Sequence, residues 1–472
     1  MIREESWCST EFSGIRFGDR RLETRFMRTA EKLSLQPMDP INKACGSWAE
    51  SKAAYRLFRN EKVKCEKILA SHREKTIQRM IGQERVLTIQ DTSSINFGER
   101  LKTRKKGLGP VGKKEQGEDG KSFGLIMHTT LAVNMQGVSL GILDQQLWAR
   151  GLEVIKADKT RHRRKRDEKE THKWFLAAER VQAYLPSPAP TEVIHVSDRE
   201  ADIYEYLAFA QSRGISFLVR ANFDRLVKDH HFYPLWHLLE SNAPCAQAEV
   251  DVPAKKTGEA ARTAKVNIGF KAVEIAAPPP KNKKQAPLDS LKLYAVYVKE
   301  ENPPAGVTAL EWMLLTNVAV KDAQEAQERV RWYRMRWHIE TFHKVLKSGC
   351  QVEACQLEGA ERLKKYVALM SVIAWRIYWM THLSRHEPEA SCEELLEEAQ
   401  WKSLSCRIHK TKEPPDHPPS ISQAIRWIAQ LGGFLARKGD GDPGPMVIWR
   451  GWQRLTDITE DWLIFKGAAT CG

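Results

Sequence analysis

A chain of 472 residues with 42% hydrophobic content is too long for one core, so two or three domains with well-filled interiors are expected. Lysine plus arginine total 74 against 60 acidic residues, and the net charge of +14 favours a polyanionic partner, nucleic acid first, although charge without motifs decides nothing. Nine cysteines, an odd number with no C-x-x-C pair, exclude a disulfide framework and a zinc ribbon; with no apolar leader in MIREESWCSTEF and no apolar run of the roughly 18 residues that cross a bilayer, the expectation is a cytoplasmic protein without membrane partners.

Residues 1 to about 70 read as helices. Arg16, Arg20, Arg21, Arg25 and Arg28 recur at near-helical spacing, and Ala53, Ala54, Tyr55, Leu57 and Phe58 supply an apolar face. A small DNA-binding domain has this pattern, and so does an ordinary solvated helix. Asp19, after Gly18, is placed to cap the first long helix. Near residue 84 the period shortens: Val86, Leu87, Thr88 and Ile89 form a β-branched run ending at Gln90-Asp91, which puts Asp91 at the exit of a buried strand. The glycine-rich basic segment 101–121 is too polar to be core, and 123–133 and 137–148 read as the next strands. A second basic run, 159–166, leads into an amphipathic helix over 169–184. Val193, Ile194, His195 and Val196 then repeat the first pattern and end at Ser197-Asp198. A helix and a strand at 217–220 follow. From about 225 to 310, alternating stretches with Pro-, Lys- and Gly-rich connections predict an inserted β-rich subdomain. Helices resume at 321 and run to the C-terminus, broken at 414–419 and 439–445; no repeat period points to a solenoid.

Two strand-end aspartates followed much later by a helical glutamate make the arrangement that two-metal phosphoryl transfer needs. Carboxylate oxygens are hard ligands suited to Mg²⁺ or Mn²⁺, and strand ends hold them over an edge that a phosphate can enter. Either aspartate alone reads equally as a turn or cap residue. On a regular helix Tyr333, Arg336, Glu340 and Lys347 fall within roughly 60° of one another, one stripe of a carboxylate, two cations and a phenol, with Lys344 nearby. That stripe fits a metal ligand among phosphate-binding groups; an Arg336–Glu340 surface ion pair is the alternative.

These residues stand in stretches that resemble the bacterial cut-and-paste transposases of insertion-sequence family four, above all the transposon-five group. The stretches are AYRLFRN (54–60), TIQDTSS (88–94), VSDREADIYEYL (196–207), FLVR (217–220), EWMLLTN (311–317), YRMRWHIETFHKVLKSG (333–349) and IRWIAQLGGF (425–434). The family's Y-x2-R-x3-E-x6-K spacing is complete as Tyr333, Arg336, Glu340 and Lys347. The resemblance implies an RNase H-like core in which Asp91, Asp198 and Glu340 bind two divalent ions. It implies that Tyr333, Arg336 and Lys347 hold the DNA backbone near a flipped base, that Trp312 is similar in position to the tryptophan stacking on that base, and that Arg220 contacts DNA. The N-terminal region matches only in pattern, which leaves open which of Arg20, Arg21 and Arg25 touch transposon-end bases.

The expected protein is α/β: an N-terminal helical end-binding domain (1–70), an RNase H-like catalytic core (71–375) with the β-rich insertion, and a helical C-terminal dimerisation region (376–472). The basic segments 102–114, with Arg104, Lys105 and Lys106, and 159–166 are expected to touch phosphates. The expected activity is binding of inverted-repeat ends, cleavage through a hairpin, and joining of 3′-OH ends to target DNA by a homodimer on the bacterial nucleoid. An RNase H-like nuclease without strand transfer is one alternative. A non-catalytic inhibitor is the other, with Met27, Met38 and Met80 as internal starts for shorter products. The apolar positions Ile425, Trp427, Ile428, Leu431 and Phe434 make either a dimer face or a helix packed on its own core.

Overall fold

The computed structural model describes residues 6–98, 106–111, 122–151, 168–186, 191–228, 232–254, 259–279 and 288–469. Arg104, Lys105 and the run 159–166 lie outside them. In chain order the elements are α1 (Trp7–Glu11), α2 (Arg20–Leu35), α3 (Ile41–Ala44), α4 (Trp48–Arg59), α5 (Cys65–Met80), β1 (Arg85–Asn96), β2 (Gly109–Pro110), β3 (Phe123–Asn134), β4 (Ser139–Trp148), α6 (His172–Tyr184), β5 (Glu192–Ser197), α7 (Tyr204–Ser212) and β6 (Ser216–Arg220). There follow β7 (Leu226–Lys228), β8 (Phe232–Pro234), α8 (Leu235–Glu240), β9 (Ala246–Val252), β10 (Arg262–Ile275), β11 (Leu291–Glu300) and β12 (Glu311–Thr316), then α9 (Ala323–Met335), α10 (Trp337–Lys344), α11 (Ala360–His386), α12 (Glu398–His409), α13 (Ile421–Leu431) and α14 (Pro445–Ala469). The chain divides into two compact units, one of Met1–Ile81, Thr92–Lys159 and Glu340–Gly472, the other of Gly82–Asp91 and Thr160–Ile339.

The first unit is mainly helical, built around α11, whose residues from Leu363 to Leu383 are nearly all buried. Asp19 caps α2 as expected, accepting from the Arg21 and Leu22 amides. Arg79 donates to both carboxylate oxygens of Glu11 at 3.0 Å each, a charged pair that ties α1 to α5. The Lys365 ammonium donates to the Phe58 and Asn60 carbonyls, at 3.2 and 2.8 Å, and satisfies the C-terminal end of α4. On α4, Ala54, Leu57 and Phe58 are fully buried, but Tyr55 is 40% exposed. Positions 54, 57 and 58 share one helical face, and 55 is turned about 100° from it.

The segment 106–111 departs from the expected polar loop. Gly109-Pro110 pairs with β3, and Leu108 and Val111 are buried. A Cβ on Gly109 would stand 2.1 Å from the Arg150 carbonyl oxygen, so only glycine lets these backbones approach. Helix α13 resolves the other open question: Ile425 and Ile428 are fully buried within their own unit. Gly451 of α14 lies so close that a Cβ there would meet the Ile428 carbonyl oxygen at 1.7 Å. The inner face of α13 is core, while Trp427, Leu431 and Phe434 are half-buried.

The second unit carries β1 as far as Asp91, β5 and β6 in parallel, followed by the antiparallel series β12, β11, β10, β7 and β8, with β9 also on β10. Its core under α6 and α7 includes Phe175, Tyr206, Leu207, Phe217, Val219 and Leu315. The expected insertion is β-rich, from β7 through β11. Mixed α/β architecture with a parallel centre fits the RNase H-like expectation.

Candidate active site

Strands β1 and β5 run in parallel register from Arg85↔Glu192 to Gln90↔Ser197. Asp91 and Asp198 are the next residue of each strand. Because side chains alternate across a sheet, both project from the face opposite to Gln90 and Ser197. The two aspartates that repeat in the sequence are therefore neighbours in space.

Their settings differ. The expectation that Asp91 ends its strand is wrong: β1 continues to Asn96, and burial falls off at Asp91 while hydrogen bonding goes on toward β3 (Phe97 N–H to Phe123 C=O, 3.0 Å). Asp91 is a mid-strand residue at the point where the parallel partner stops. Asp198 does follow a strand end, and its carboxylate caps a 3-10 turn over Arg199–Ala201 by accepting the Glu200 amide at 2.9 Å. Burial pushes the Asp198 carboxyl above its usual range, against the Glu200 amide hydrogen bond and the Arg336 charge, which both pull it down. The Arg336 guanidinium lies 3.8 Å from the Asp91 carboxylate. On the opposite face Gln90 Nε2 donates to His195 Nδ1 at 2.7 Å, and burial pushes His195 down to about 4, so it is neutral at physiological pH.

The helix carrying Glu340 is not one regular cylinder. Helix α9 ends at Met335, Arg336 forms a break with a 3.0 Å hydrogen bond back to Tyr333, and α10 gives way to a π turn over Val345–Gly349. The single stripe expected from uniform spacing is therefore out of phase at both ends. A Cβ on Gly349 would collide with the Trp449 ring at 2.5 Å, which accounts for glycine where the wider turn packs. Glu340 and Lys347 are half-buried and Lys344 is exposed; all three belong to the first unit, while Asp91, Asp198 and Arg336 belong to the second.

Beside Arg336 the second unit holds a cavity of about 1360 Å³. Trp312 and Tyr333 meet in it edge to face, centroids 4.9 Å apart at 70°, and the Arg336 guanidinium lies 5.9 Å from the Tyr333 ring. Arg220 donates to the Glu311 carbonyl at 3.0 Å and also lines the cavity. Burial pushes the Tyr333 phenol up, so it stays a neutral donor. Arg331 and Arg334 line the same wall, which spacing alone did not single out. Two aromatic rings among guanidinium groups suit a flattened apolar ring system next to phosphate.

In the first unit Arg20, Arg21 and Arg28 are exposed and Arg25 is half-buried. Lys106 is exposed, its carbonyl accepting the Ala360 amide at 2.9 Å. Missed from sequence was the outer face of α4, where Trp48, 80% exposed, is followed by Lys52, Tyr55, Arg56 and Arg59, also exposed. Their spacing of four, three, one and three places them within about 100° of arc, a signal masked by assigning Tyr55 to the core.

Among the described residues no three His, Cys, Asp or Glu side chains form a ready metal cage. The hard-oxygen donor set of the adjacent Asp91 and Asp198, one of them poorly solvated, nevertheless fits a divalent cation that completes its shell with further oxygens. No helix among the described residues is long and apolar enough to cross a membrane. Three family models match the chain: Transposase DNA-binding over residues 4–63, Transposase DDE domain over 143–376 and Transposase Tn5 dimerisation domain over 372–466. The DDE match includes Asp198 and Glu340 and starts after Asp91.

Proposed function

The chain belongs to the Tn5-like DDE transposases, and from that premise we propose that it excises its element by cutting both strands at inverted-repeat ends and joins the freed 3′ ends to target DNA. That it is a DNA transposase with DNA-binding, DDE and dimerisation regions follows from the family. The cut-and-paste route, the hairpin, the three-part division at about residues 70 and 375, and the roles of individual residues are the proposal. One observation carries it: the parallel register sets Asp91 beside Asp198, with Arg336 3.8 Å from Asp91.

In this reading Asp91, Asp198 and Glu340 hold Mg²⁺ or Mn²⁺, two ions per site, with Glu340 included on its motif spacing. When bound, the ions supply Lewis acidity at the scissile phosphate and favour a deprotonated attacking group. Arg336 neutralises Asp91 in the free protein and turns to a DNA phosphate when one arrives, freeing the carboxylate. Trp312 stacks on an extruded base, Tyr333 and Arg220 hold the adjoining backbone, and Lys347 and Lys344 act as phosphate contacts farther along the chain. The first attack is by water and frees a 3′-OH. That hydroxyl attacks the opposite strand to close a hairpin, water reopens it, and the same hydroxyl then attacks target DNA; each step is an in-line displacement at phosphorus.

Arg20, Arg21 and Arg25, with the exposed face of α4, bind the ends. Two copies meet in the paired-end complex through the C-terminal region, where Leu463, Ile464 and Phe465 of α14 are 51%, 68% and 74% exposed. Asp91→Asn, Asp198→Asn and Glu340→Gln test the site: each is expected to abolish nicking in Mg²⁺ or Mn²⁺ while end binding persists in a gel-shift assay. Full nicking by any of the three removes that residue from the site.

A further inference from the structure

The stretch 198–202 carries a second aspartate that the chemistry above does not use. Asp202 is 1% exposed. Its Oδ2 accepts the Asn222 amide at 2.6 Å and the Phe223 amide at 3.0 Å, its Oδ1 is paired with the Arg225 guanidinium, and Arg225 also donates to the Asp202 carbonyl at 3.1 Å. A buried carboxylate is tolerated only when its oxygens are satisfied in this way. What it joins is the turn leaving β5 and the turn leaving β6.

The placement has a consequence for the site. Asp198 and Asp202 are the two ends of one 3-10 turn, with the Ala201 amide on the Asp198 carbonyl at 3.1 Å and the Asp202 amide on the Arg199 carbonyl at 3.3 Å. Asn222 follows Arg220 by two residues. The strands themselves need no such tie, because the β5–β6 ladder already runs to Ser197↔Val219. Asp202 adds fixation just past the end of that ladder, where Asp198 and Arg220 sit.

We propose that Asp202, clamped by Arg225, is a positioning residue that holds the Asp198 carboxylate and the Arg220 guanidinium in register with each other. This rests on the reading of Asp198 as a metal carboxylate and Arg220 as a DNA contact. Loosening the clamp frees the capped turn to swing Asp198 away from Asp91, so the weakened property is cation affinity, with the chain still folded.

The test is Mn²⁺ binding to the full-length chain, with a short nicked duplex present to engage Arg336, read by electron paramagnetic resonance of free Mn²⁺. Asp202→Asn is expected to raise the half-saturating Mn²⁺ at least tenfold. Arg225→Lys, which keeps the charge and loses the fork, is expected to raise it about threefold, and it serves if Asp202→Asn does not fold. Ile268→Ala, a cavity on β10 where it pairs with β9 and β11, seven residues from its pairing with β7, lowers the melting temperature and leaves Mn²⁺ binding where it was. Wild-type protein whose Mn²⁺ binding is indifferent to Asp198→Asn overturns the functional reading. Asp198-dependent binding that neither clamp variant shifts overturns this inference alone, as does an equal shift in Ile268→Ala.

Discussion

Trp312→Ala separates base extrusion from the rest of the reaction. The indole is half-buried on β12 and meets the Tyr333 ring at 4.9 Å, edge to face. Removing it costs the protein an aromatic pair worth about 0.5–1.5 kcal/mol, a loss that lowers thermal stability and touches every step alike. An extruded base deprived of its stacking surface loses about 1–3 kcal/mol more, and that loss falls only on the step needing the base outside the duplex. A first nick requires the carboxylates and one strand. A hairpin bends that strand sharply across the duplex, and the stacked base relieves the strain. At about 1.4 kcal/mol per factor of ten, hairpin formation slows roughly tenfold or more while nicking continues, so nicked DNA accumulates. Pre-nicked ends incubated in Mg²⁺, with nicked, hairpin and fully broken products resolved on a denaturing gel, give the readout; Trp312→Phe, which keeps a smaller ring, recovers part of the rate. Equal slowing of nicking and hairpin formation refutes the reasoning and makes Trp312 a packing partner of Tyr333.

Acid sensitivity follows from buried imidazoles. Burial pushes His195 down to about 4 and His343 to about 3, so both are neutral when folded and take up protons on unfolding below their ordinary value near 6.5. Their contribution is whole above about pH 6.5 and is lost as pH falls toward 4, with each costing about 2 kcal/mol near pH 5. His195→Gln should narrow the gap between urea midpoints at about pH 7.5 and about pH 5, and an unchanged gap counts against the assignment. For the dimer, Ile464→Asp with Phe465→Asp should give monomers in sedimentation and block paired-end complexes while single-end binding survives. Ile428→Ala, on the inner face of α13, should instead lower stability by about 2–5 kcal/mol, and loss of pairing without loss of stability would return α13 to the interface. Arg20→Gln, Arg21→Gln and Arg25→Gln should each lower the salt slope of end binding by nearly one unit if the residue contacts a phosphate, and a slope that does not move assigns it to the solvated surface.

Local features were legible in the chain. Alternation and β-branching located β1, β3, β4, β5 and, in the insertion, β9, β10 and β11 but not the short β7 and β8, because a strand's side-chain period is imposed by the backbone itself and three residues are too few to show it. Asp19 read as a cap because a short carboxylate before a helix has one obvious use. The Y-x2-R-x3-E-x6-K spacing identified the family's motif without any coordinates. What the sequence left open were matters of partnership. A strand ends where its neighbour stops bonding to it, so Asp91 looked terminal although β3 carries β1 on to Asn96. The stripe around Glu340 assumed a uniform helix, whereas the chain breaks at Arg336 and widens into a π turn before Cys350, where Gly349 packs against Trp449. The apolar rows of α13 and of the end of α14 look equally suited to a partner. Only the approach of Gly451 to Ile428 shows which row is consumed inside the unit and which stays exposed. Asp202 is one carboxylate among many along the chain, and it becomes a clamp only when two strand exits distant in sequence, at 198–202 and 221–225, are folded side by side. Periodicity and capping are set by neighbours along the backbone; burial, strand ends and ion-pair partners depend on what comes back from far along the chain.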